Sequence, residues 1–546
     1  MLSPENLLIA AVLLPLLGAV ALWVAAPAGR DVVRWIALGV TLATLALAAV
    51  LVFRFPADGV GEYASSSRPW LALSPELGTA VDVRFSLALD GLGVWLFGLS
   101  ALLMVTCVLV SWRAIEDRPS LFYGMLLLLE FGCLGVFTAR DILLFYVFFE
   151  FTLIPLFFLI GIWGSEERRY AAAKFFLFTL AGSVLTFLGI LAIVLYGSPD
   201  GGLTFSIPTL TEELARNPIP LAWQLAIFIA LFAGFAIKVP LFPLHTWLPL
   251  AHTQAPTAGS VFLAGLLLKI GIYGFLRFSI PMLPDATALC MPWLLWLSVI
   301  GIVYGALVAL AQRDIKRLIA YSSVSHLGFC MLGVFALNSL SVQGGALQMV
   351  NHGLSTGGLF AIVGMLYERY HTREISHLGG IARRLPLLSF FMLLFTLSSI
   401  GLPGLNGFAG EFLLLLGTFQ RAFAQAPPAL ALQYQIVAVA AVSGVVLGAW
   451  YMLWLVQRVF FGPLKEPHGD HASNGHNGDH EVRDLSIREV LSLAPLAVFV
   501  LWIGLQPQFF LARMQPTLQQ LTAEATAVVA EQGSQSAESA ELARGE

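Results

Sequence analysis

The sequence has few charged residues and lacks the local motifs of nucleotide-driven and hydrolytic enzymes. Asp, Glu, Lys and Arg make up 11% of the 546 residues, whereas a soluble domain carries about a quarter. There is no Walker loop, no GxGxxG after a strand and no GxSxG. These absences argue against a soluble domain, and they predict that any energy source driving the protein is held on another chain.

Cysteine is also scarce. The four that occur, Cys107, Cys133, Cys290 and Cys330, are far apart and form no CxxC pair. Isolated cysteines argue against a disulfide framework, a zinc site and an iron–sulfur site. We therefore expect neither a metal nor a redox cofactor on this chain.

Hydrophobic residues, in contrast, make up 58% of the sequence, and the mean hydropathy is +0.83. Apolar runs of membrane-spanning length recur from end to end, which predicts an all-α polytopic membrane protein. The first run ends in a signal-like AAPAG, but Glu5 stands where a signal peptide needs Lys or Arg, so we expect a retained helix. Thirteen further spans are predicted near 33–53, 86–112, 119–138, 141–163, 172–196, 222–248, 257–280, 290–311, 317–337, 343–367, 387–422, 434–459 and 487–507.

The distribution of Lys and Arg over alternate loops predicts the orientation in the membrane. Of the 29 Lys and Arg residues, 18 lie in loops of one side and 9 in loops of the other. The positive-inside rule places the first side in the cytoplasm. We therefore expect a bacterial inner-membrane protein with both termini on the periplasmic side.

Residues 222–249, AWQLAIFIALFAGFAIKVPLFPLHTWLP, predict a membrane helix that breaks in its own middle. Sixteen uncharged residues lead to Lys238, and Pro240 and Pro243 follow. Proline interrupts helical hydrogen bonding, and in lipid the freed backbone groups must be satisfied by protein or water. An ammonium beside an unwound turn is typical of transporter ion sites. The alternative is a lysine that snorkels to the interface along a kinked structural helix.

A second break is predicted in SSIGLPGLNGFAGEF, just before Glu411. Upstream of each break a helix carries a polar residue. Glu150 precedes Lys238 by 88 residues, and His326 precedes Glu411 by 85. Two five-helix units would bring these positions into register, and the odd number of helices would invert the second unit. Inverted repeats with broken helices at matching positions are typical of transporters.

The predicted organisation has six parts. These are three N-terminal helices (1–117), the first repeat (118–280), the inverted repeat (290–460), a cytoplasmic His-rich loop (461–486), a fourteenth helix (487–507) and a polar tail (508–546). The stretch HGDHASNGHNGDHE (468–481) could bind a metal, but a solvated, disordered loop is favoured. The tail is expected to be poorly ordered after about residue 522.

Five formally charged residues are predicted at mid-depth: Glu130, Glu150, Lys238, Lys269 and Glu411. Each is costly in lipid unless paired or hydrated, so each is a functional candidate. A carboxylate such as Glu150 would hold the Lys238 ammonium protonated when near and favour proton release when distant. Lys269, flanked by glycines that permit close helix packing, is placed to pass the proton onward. The alternative for Lys269 is a structural ion pair, and Glu130 could equally gate proton entry or make a packing contact.

Histidines supply further candidates, because their protonation changes near neutral pH. His326 and His352 lie between the two breaks in sequence and suit a relay. A lone helical histidine is equally often a hydrogen-bonded core residue. His245 and His252 follow the first break, and their role is more weakly indicated.

Four blocks carry a resemblance to a known family. FFEFTLIPLFFLIGIWG, KVPLFPLHTWLPLAHTQAPTAGSVFLAGLLLKIGIYGFLRF, RDIKRLIAYSSVSHLGF and LPGLNGFAGEF closely resemble the antiporter-like subunits of respiratory complex I, over roughly residues 86–460. Within that family, a Glu rather than a Lys at position 411 and the absence of a long lateral helix after the fourteenth span favour the M type over the L and N types. The long 468–481 loop departs from the family pattern.

The resemblance implies a proton-translocating subunit of NADH:quinone oxidoreductase. It implies that Glu150 and Lys238 form a coupling ion pair, that Lys269 is the central relay, that His326 and His352 connect it onward, and that Glu411 is the terminal site. NADH, FMN, iron–sulfur clusters and quinone would bind to partner subunits, with L- and N-type neighbours in the bilayer and no nucleic acid. The alternatives are a subunit of an Mrp-type sodium/proton antiporter or membrane-bound hydrogenase, and a membrane scaffold whose buried charges only pair helices.

Overall fold

Helices of membrane-spanning length dominate the computed structural model, which describes residues 3–73, 80–198, 202–467 and 482–542. The N-terminal half contains α1 (Pro4–Val24), α2 (Arg30–Arg54), α3 (Gly93–Ala114), α4 (Pro119–Thr138), α5 (Ile142–Trp163), α6 (Arg168–Gly197), α7 (Ile207–Arg216), α8 (Leu221–Lys238), α9 (Trp247–Gln254) and α10 (Thr257–Met282). The C-terminal half contains α11 (Pro284–Leu310), α12 (Ile315–Phe335), α13 (Ser339–Tyr370), α14 (Pro386–Ser399), α15 (Asn406–Ala424), α16 (Ala431–Phe460), α17 (Ile487–Leu505) and α18 (Pro507–Leu542).

The predicted membrane crossings are confirmed. Within the described residues, 13 helices are long and apolar enough to cross a membrane. The shorter α14 and its continuation α15 form one further, broken crossing. The polytopic all-α fold expected from the apolar runs is therefore present.

Both predicted helix breaks are also present. α8 ends at Lys238 and the chain becomes helical again at Trp247. α14 ends at Ser399 and α15 begins at Asn406. Each break lies in the fourth crossing of a five-crossing unit. Because five is an odd number, the second unit runs through the membrane in the opposite direction.

The loop predicted at 54–85 is instead part of a small sheet. β1 (Tyr63–Leu73) pairs antiparallel with β2 (Ala80–Leu89), and β3 (Gly202–Thr204) pairs parallel with β2. The predicted start of the third span at residue 86 is wrong, because α3 begins at Gly93. Apolar and polar residues alternate in VDVRFSLAL, a period of two that favours a strand over a helix.

The C-terminal segment differs from its prediction as well. No long helix was expected after the fourteenth span, and a poorly ordered tail was expected after about residue 522. Both expectations are wrong, because α18 continues as helix from Pro507 to Leu542. Buried apolar residues recur along it every three or four positions, at Phe510, Met514, Leu518, Leu521, Ala525 and Val529. This spacing lets a largely polar segment pack one face onto the bundle. The His-rich stretch 468–481 lies outside the described residues.

The centre of the bundle is formed by α10 and α13, which are buried on all sides along their most apolar stretches. As predicted, glycine allows α10 to approach its neighbours closely. A Cβ atom added at Gly271 would lie 2.5 Å from the carbonyl oxygen of Phe235 on α8. Lys269 is thereby held in the buried centre of the bundle, next to the end of α8.

Candidate functional site

Lys238 is the last residue of α8 and lies at the first helix break. Its side chain is only 4% exposed. The ammonium lies over the ring of Phe149, with Nζ 4.2 Å from the ring centroid, and it has no hydrogen-bond partner among the described residues. The negative face of an aromatic ring stabilises a desolvated cation, by about 2 kcal/mol in a dry site. The Phe149 ring thus supplies electrostatic stabilisation to an ammonium that makes no hydrogen bond to the described residues.

Glu150 follows Phe149 on α5, but it does not form the predicted ion pair with Lys238. No carboxylate oxygen in the described structure lies within 4.0 Å of the Lys238 ammonium. Glu150 is half-buried, and its Oε1 atom is buried without a hydrogen-bond partner among the described residues. Successive residues of a helix point in different directions, and here Phe149 covers the ammonium while the Glu150 carboxylate stays more than 4.0 Å from it. The structure therefore contains the two groups in an open arrangement.

Lys269 lies on α10, in a short α-helical segment with a π-helical segment on either side, Leu263–Leu267 and Phe275–Ser279. π-helical turns are rare and often occur at functional sites. The lysine is fully buried. Its ammonium donates to the carbonyl oxygen of Ala264 and lies 2.7 Å from His352 Nδ1 on α13. No sequence pattern indicated the π-helical turns.

When Lys269 is protonated, its contact with His352 defines the tautomer of the histidine ring. An ammonium can only donate, so Nδ1 of His352 must accept, and the proton of a neutral ring is then on Nε2. Nε2 is buried without a partner among the described residues. His352 can therefore take a proton at one nitrogen and release one from the other, which is what a relay requires.

His326, on α12, joins His352 to Glu411. The centres of the two imidazole rings are 5.7 Å apart. His326 Nδ1 lies 3.2 Å from Glu411 Oε1, a close contact whose angles are not those of a hydrogen bond, while Nε2 lies 3.1 Å from Ser399 Oγ at the second break. The structure thus brings together Lys269, His352, His326 and Glu411, four of the predicted site residues.

Amide side chains that the sequence analysis did not single out hold Glu411 in place. Gln348 donates through Nε2 to Glu411 Oε1 at 3.0 Å, and Asn351 donates to Gln348 Oε1 at 3.2 Å. Asn351 also donates to the carbonyl oxygen of Asn406, whose side chain accepts from Ser398 Oγ. This amide network connects both ends of the second break to Glu411. In the sequence, the spacing of the two amides in QMVN, three residues apart, places them on one helix face. This spacing is the only sequence pattern that indicates the amide network.

Two other predicted residues lie outside the chain of contacts. Glu130 on α4 is fully buried, and neither carboxylate oxygen has a hydrogen-bond partner in the described residues. A buried carboxyl without a cation is stable only when neutral. His245 lies in the first break, stacked on the ring of Phe242 at 5.7 Å and edge-on to the ring of Tyr304 at 5.1 Å. Neither residue contacts Lys238 or Lys269 directly.

The sequence analysis missed one buried lysine. Lys316, counted there among the loop cations, is 6% exposed and donates at 2.6 Å to the carbonyl oxygen of Ala255, between α9 and α10. His252 on α9 lies nearby, stacked on Phe360 with ring centres 4.6 Å apart. Both of its nitrogens lack a partner among the described residues. The predicted span began at 317, one residue too late to include Lys316.

A buried ion cluster, also unpredicted, lies at the end of the bundle where the small sheet is. Asp90 Oδ2 lies 2.6 Å from Arg277 and 3.1 Å from Arg140, and Asp90 Oδ1 accepts from the backbone N–H of Gly93. Burial alone would raise the pKa of Asp90, but the charges of Arg277 and Arg140 overcome it and hold the pKa well below its usual range. Arg277 lies on α10, eight residues after Lys269, in the second π-helical segment.

Comparison with known proteins places this arrangement in a family. A family model described as NADH:quinone oxidoreductase/Mrp antiporter, TM, matches residues 139–450. NADH-quinone oxidoreductase subunit M of Rhodobacter capsulatus is 39% identical over 529 residues, which cover 95% of this chain and 96% of that protein. NADH-ubiquinone oxidoreductase chain 4 of Marchantia polymorpha is 39% identical, with 93% of this chain and 96% of that protein covered.

Solved structures agree with these relatives. A chain in the structure of respiratory complex I from Thermus thermophilus with bound NADH superposes with a TM-score of 0.81 at 33% identity, covering 95% of this chain and 99% of that chain. A chain of the Mrp complex from Dietzia sp. DQ12-45-1b superposes with a TM-score of 0.75, but at 21% identity, over 95% and 98% of the two chains. The second likeness shows the fold alone.

Proposed function

The chain belongs to the family of NADH-quinone oxidoreductase subunit M and NADH-ubiquinone oxidoreductase chain 4, and from that premise we propose that it is a proton-translocating membrane subunit of a NADH:quinone oxidoreductase. The observation that carries the proposal is the buried series of contacts from Lys269 through His352 and His326 to Glu411. Five-crossing units with matched breaks supply the scaffold.

The proton would move along this series in defined steps. Lys269 gives its proton to Nδ1 of His352 across the 2.7 Å contact. His352 releases its Nε2 proton toward His326, over the 5.7 Å between ring centres, by ring rotation or through a water molecule. His326 Nδ1 then passes a proton to Glu411 Oε1, 3.2 Å away. Each acceptor is buried, which keeps the proton from exchanging with bulk water.

Glu150 and Lys238 would control the first step. In the open arrangement Lys238 rests on Phe149. When Glu150 swings toward Lys238, the closed ion pair holds that proton; when it swings away, the ammonium loses its counter-charge and gives the proton toward Lys269. The signal that moves Glu150 would come laterally from neighbouring subunits. Glu130 and His245, buried near this end of the series, would act in proton entry.

The redox chemistry would take place on partner subunits. NADH, FMN, iron–sulfur clusters and quinone belong there, and L- and N-type antiporter-like subunits would be neighbours within the membrane. The bias of 18 against 9 basic residues between alternate loops supports a bacterial inner-membrane orientation with both termini on the periplasmic side.

Purification through a tag on this chain tests the assignment. Gently solubilised membranes should yield a complex that contains flavin and iron–sulfur signals and oxidises NADH with quinone. Copurification with membrane subunits that carry no redox centres would overturn the proposal in favour of an Mrp-type antiporter. Sodium dependence of transport would then be the next measurement.

A further inference from the structure

A basic pocket opens at the end of α16, away from the proton series. It lies among the α11–α12 connection, the segment that follows α13, and the residues just after α16, and its volume is about 830 Å³. Three cationic side chains line it, Arg313, Arg458 and Lys465, together with the carboxylate of Glu374 and the ring of Trp454. The lining thus carries more positive than negative charge.

The three cations have no direct counter-ion among the described residues. None has a carboxylate within 4.0 Å in the part of the chain that the structure describes. The Lys465 ammonium donates to the carbonyl oxygen of Ser376, and the Arg458 guanidinium lies 5.7 Å from the centre of the Trp454 ring. An excess of two positive charges over one shared pocket favours an anion, and Arg with Lys is the usual pair for phosphate.

The pocket lies at the end of an exposed apolar stripe. Exposed apolar residues recur every three or four positions along the whole of α16, at Leu432, Ile436, Val439, Val442, Val446, Trp450 and Leu453. This spacing forms one continuous apolar face. Phe461 and Leu464, beside the pocket, are also exposed. Trp450 and Trp454 lie near the same end of α16, and tryptophan is enriched at the headgroup level of a bilayer.

We propose that this pocket binds the phosphate headgroup of an anionic phospholipid whose acyl chains lie along the exposed face of α16. Basic pockets between transmembrane helices are suited to such headgroups. The apolar stripe favours a lipid over free phosphate, because a soluble anion would gain nothing from it. None of the residues that line this pocket belongs to the proton path. Arg313, Arg458 and Lys465 would bind a lipid rather than only face solvent.

Lipid retention by the purified complex tests the proposal. The complex is stripped of lipid in neutral detergent, incubated with radiolabelled dioleoyl-phosphatidylglycerol, washed, and counted. The test variant is R313Q/R458Q/K465Q. The matched control is R169Q/R317Q/R383Q, which removes the same charge from exposed positions that do not line the pocket.

The wild type and the control should retain one more phosphatidylglycerol per complex than the test variant. Dioleoyl-phosphatidylcholine should not replace it, and inorganic phosphate should not displace it. Each removed cation should weaken binding by about fivefold, so the single variant R458Q gives a measurable shift even if the triple variant does not assemble. Equal retention by all variants, displacement by inorganic phosphate, or loss of a neighbouring subunit at unchanged lipid content would each overturn the proposal.

Discussion

The ammonium of Lys238 lies over the ring of Phe149, 4.2 Å from the ring centroid. It does not contact the carboxylate of Glu150, the residue after Phe149. The cation is therefore stabilised in the absence of its counter-charge. A switch needs two arrangements of similar free energy, and the ring supplies the second one. Without it, an unpaired buried ammonium would cost several kcal/mol and the pair would stay closed.

Replacing Phe149 by Leu should bias the switch toward the closed pair. Removal of about 2 kcal/mol of cation–ring attraction corresponds to a shift of about thirtyfold in the open-to-closed ratio. Proton pumping coupled to NADH oxidation should fall accordingly, whereas F149Y, which keeps a ring, should pump nearly normally. F158L, at an exposed position of the same helix (40% exposure), is the control. Equal behaviour of F149L and F158L would refute a role for the ring.

Replacing Glu150 by Gln should cripple pumping while leaving the fold intact, because the amide keeps the size but cannot hold the Lys238 proton. A loss of at least about tenfold is expected for removal of a proton-transfer group. E116Q, which alters an exposed loop carboxylate, is the control. Normal proton translocation by E150Q at normal assembly would rule out the switch.

Gln348→Leu should lower the rate of proton transfer through Glu411, since it removes the amide that donates to Oε1 at 3.0 Å. A hydrogen bond to a charged group contributes about 1.5–3 kcal/mol, so the rate should fall by about tenfold to a hundredfold. Among the described residues, the side chain of Gln343 on the same helix bonds to Ser339 and not to Glu411, and Q343L should therefore have little effect. The comparison is made as initial pumping rates of reconstituted complexes at equal subunit content. Equal rates for Q348L and Q343L would mean that the amide network does not act on Glu411.

Alanine substitutions at Gly401 and Gly404 distinguish the effect of backbone strain from the effect of a contact with Glu411. Both have positive φ angles, +73° and +90°, so alanine is strained at either position by about 1–2 kcal/mol. A Cβ at Gly401 would also lie 2.9 Å from Glu411 Oε2, whereas one at Gly404 would meet nothing within 4 Å. Both variants should be destabilised in thermal unfolding, but only G401A should lose pumping. An equal loss in G404A would mean that the break, and not Glu411, is what matters.

Asp90→Asn should destabilise the subunit by about 3–5 kcal/mol, the cost of leaving a buried charge uncompensated. Because the folded pKa of Asp90 lies below its unfolded value of about 3.9, its stabilisation is present above that value and is lost only as pH falls through the folded pKa. D90N should thus lower thermal stability at neutral pH. D82N, which breaks an exposed pair with Arg84, should cost less than about 1 kcal/mol. Similar unfolding temperatures for the two variants would contradict this account of the cluster.

Much of the fold could be predicted from the sequence because lipid imposes long apolar runs and penalises broken helices. The crossings and both breaks follow from that rule. The sheet was not predicted because VDVRFSLAL directly precedes the apolar run of α3 and extends it. α18 was not predicted because its small polar residues resemble a disordered tail. Both carry a period that, in retrospect, indicates their structure.

The site was predictable only in part. Charges inside apolar runs identified Lys238, Lys269 and Glu411, because each is costly in lipid. Contacts such as that of Lys238 with Phe149, or of Gln348 with Glu411, depend on side-chain directions at single positions, which no periodicity encodes. The π-helical turns beside Lys269 likewise depend on packing and leave no pattern in the sequence.

Proton uptake by vesicles containing the Lys269→Met complex tests the central claim most directly. Methionine keeps the length of the side chain but has no proton to give to His352. The initial rate of NADH-driven uptake should fall by at least about tenfold relative to wild type, with subunit content and flavin unchanged. An uptake rate equal to wild type at normal assembly would show that the proton does not pass through Lys269, and the proposed path would be wrong.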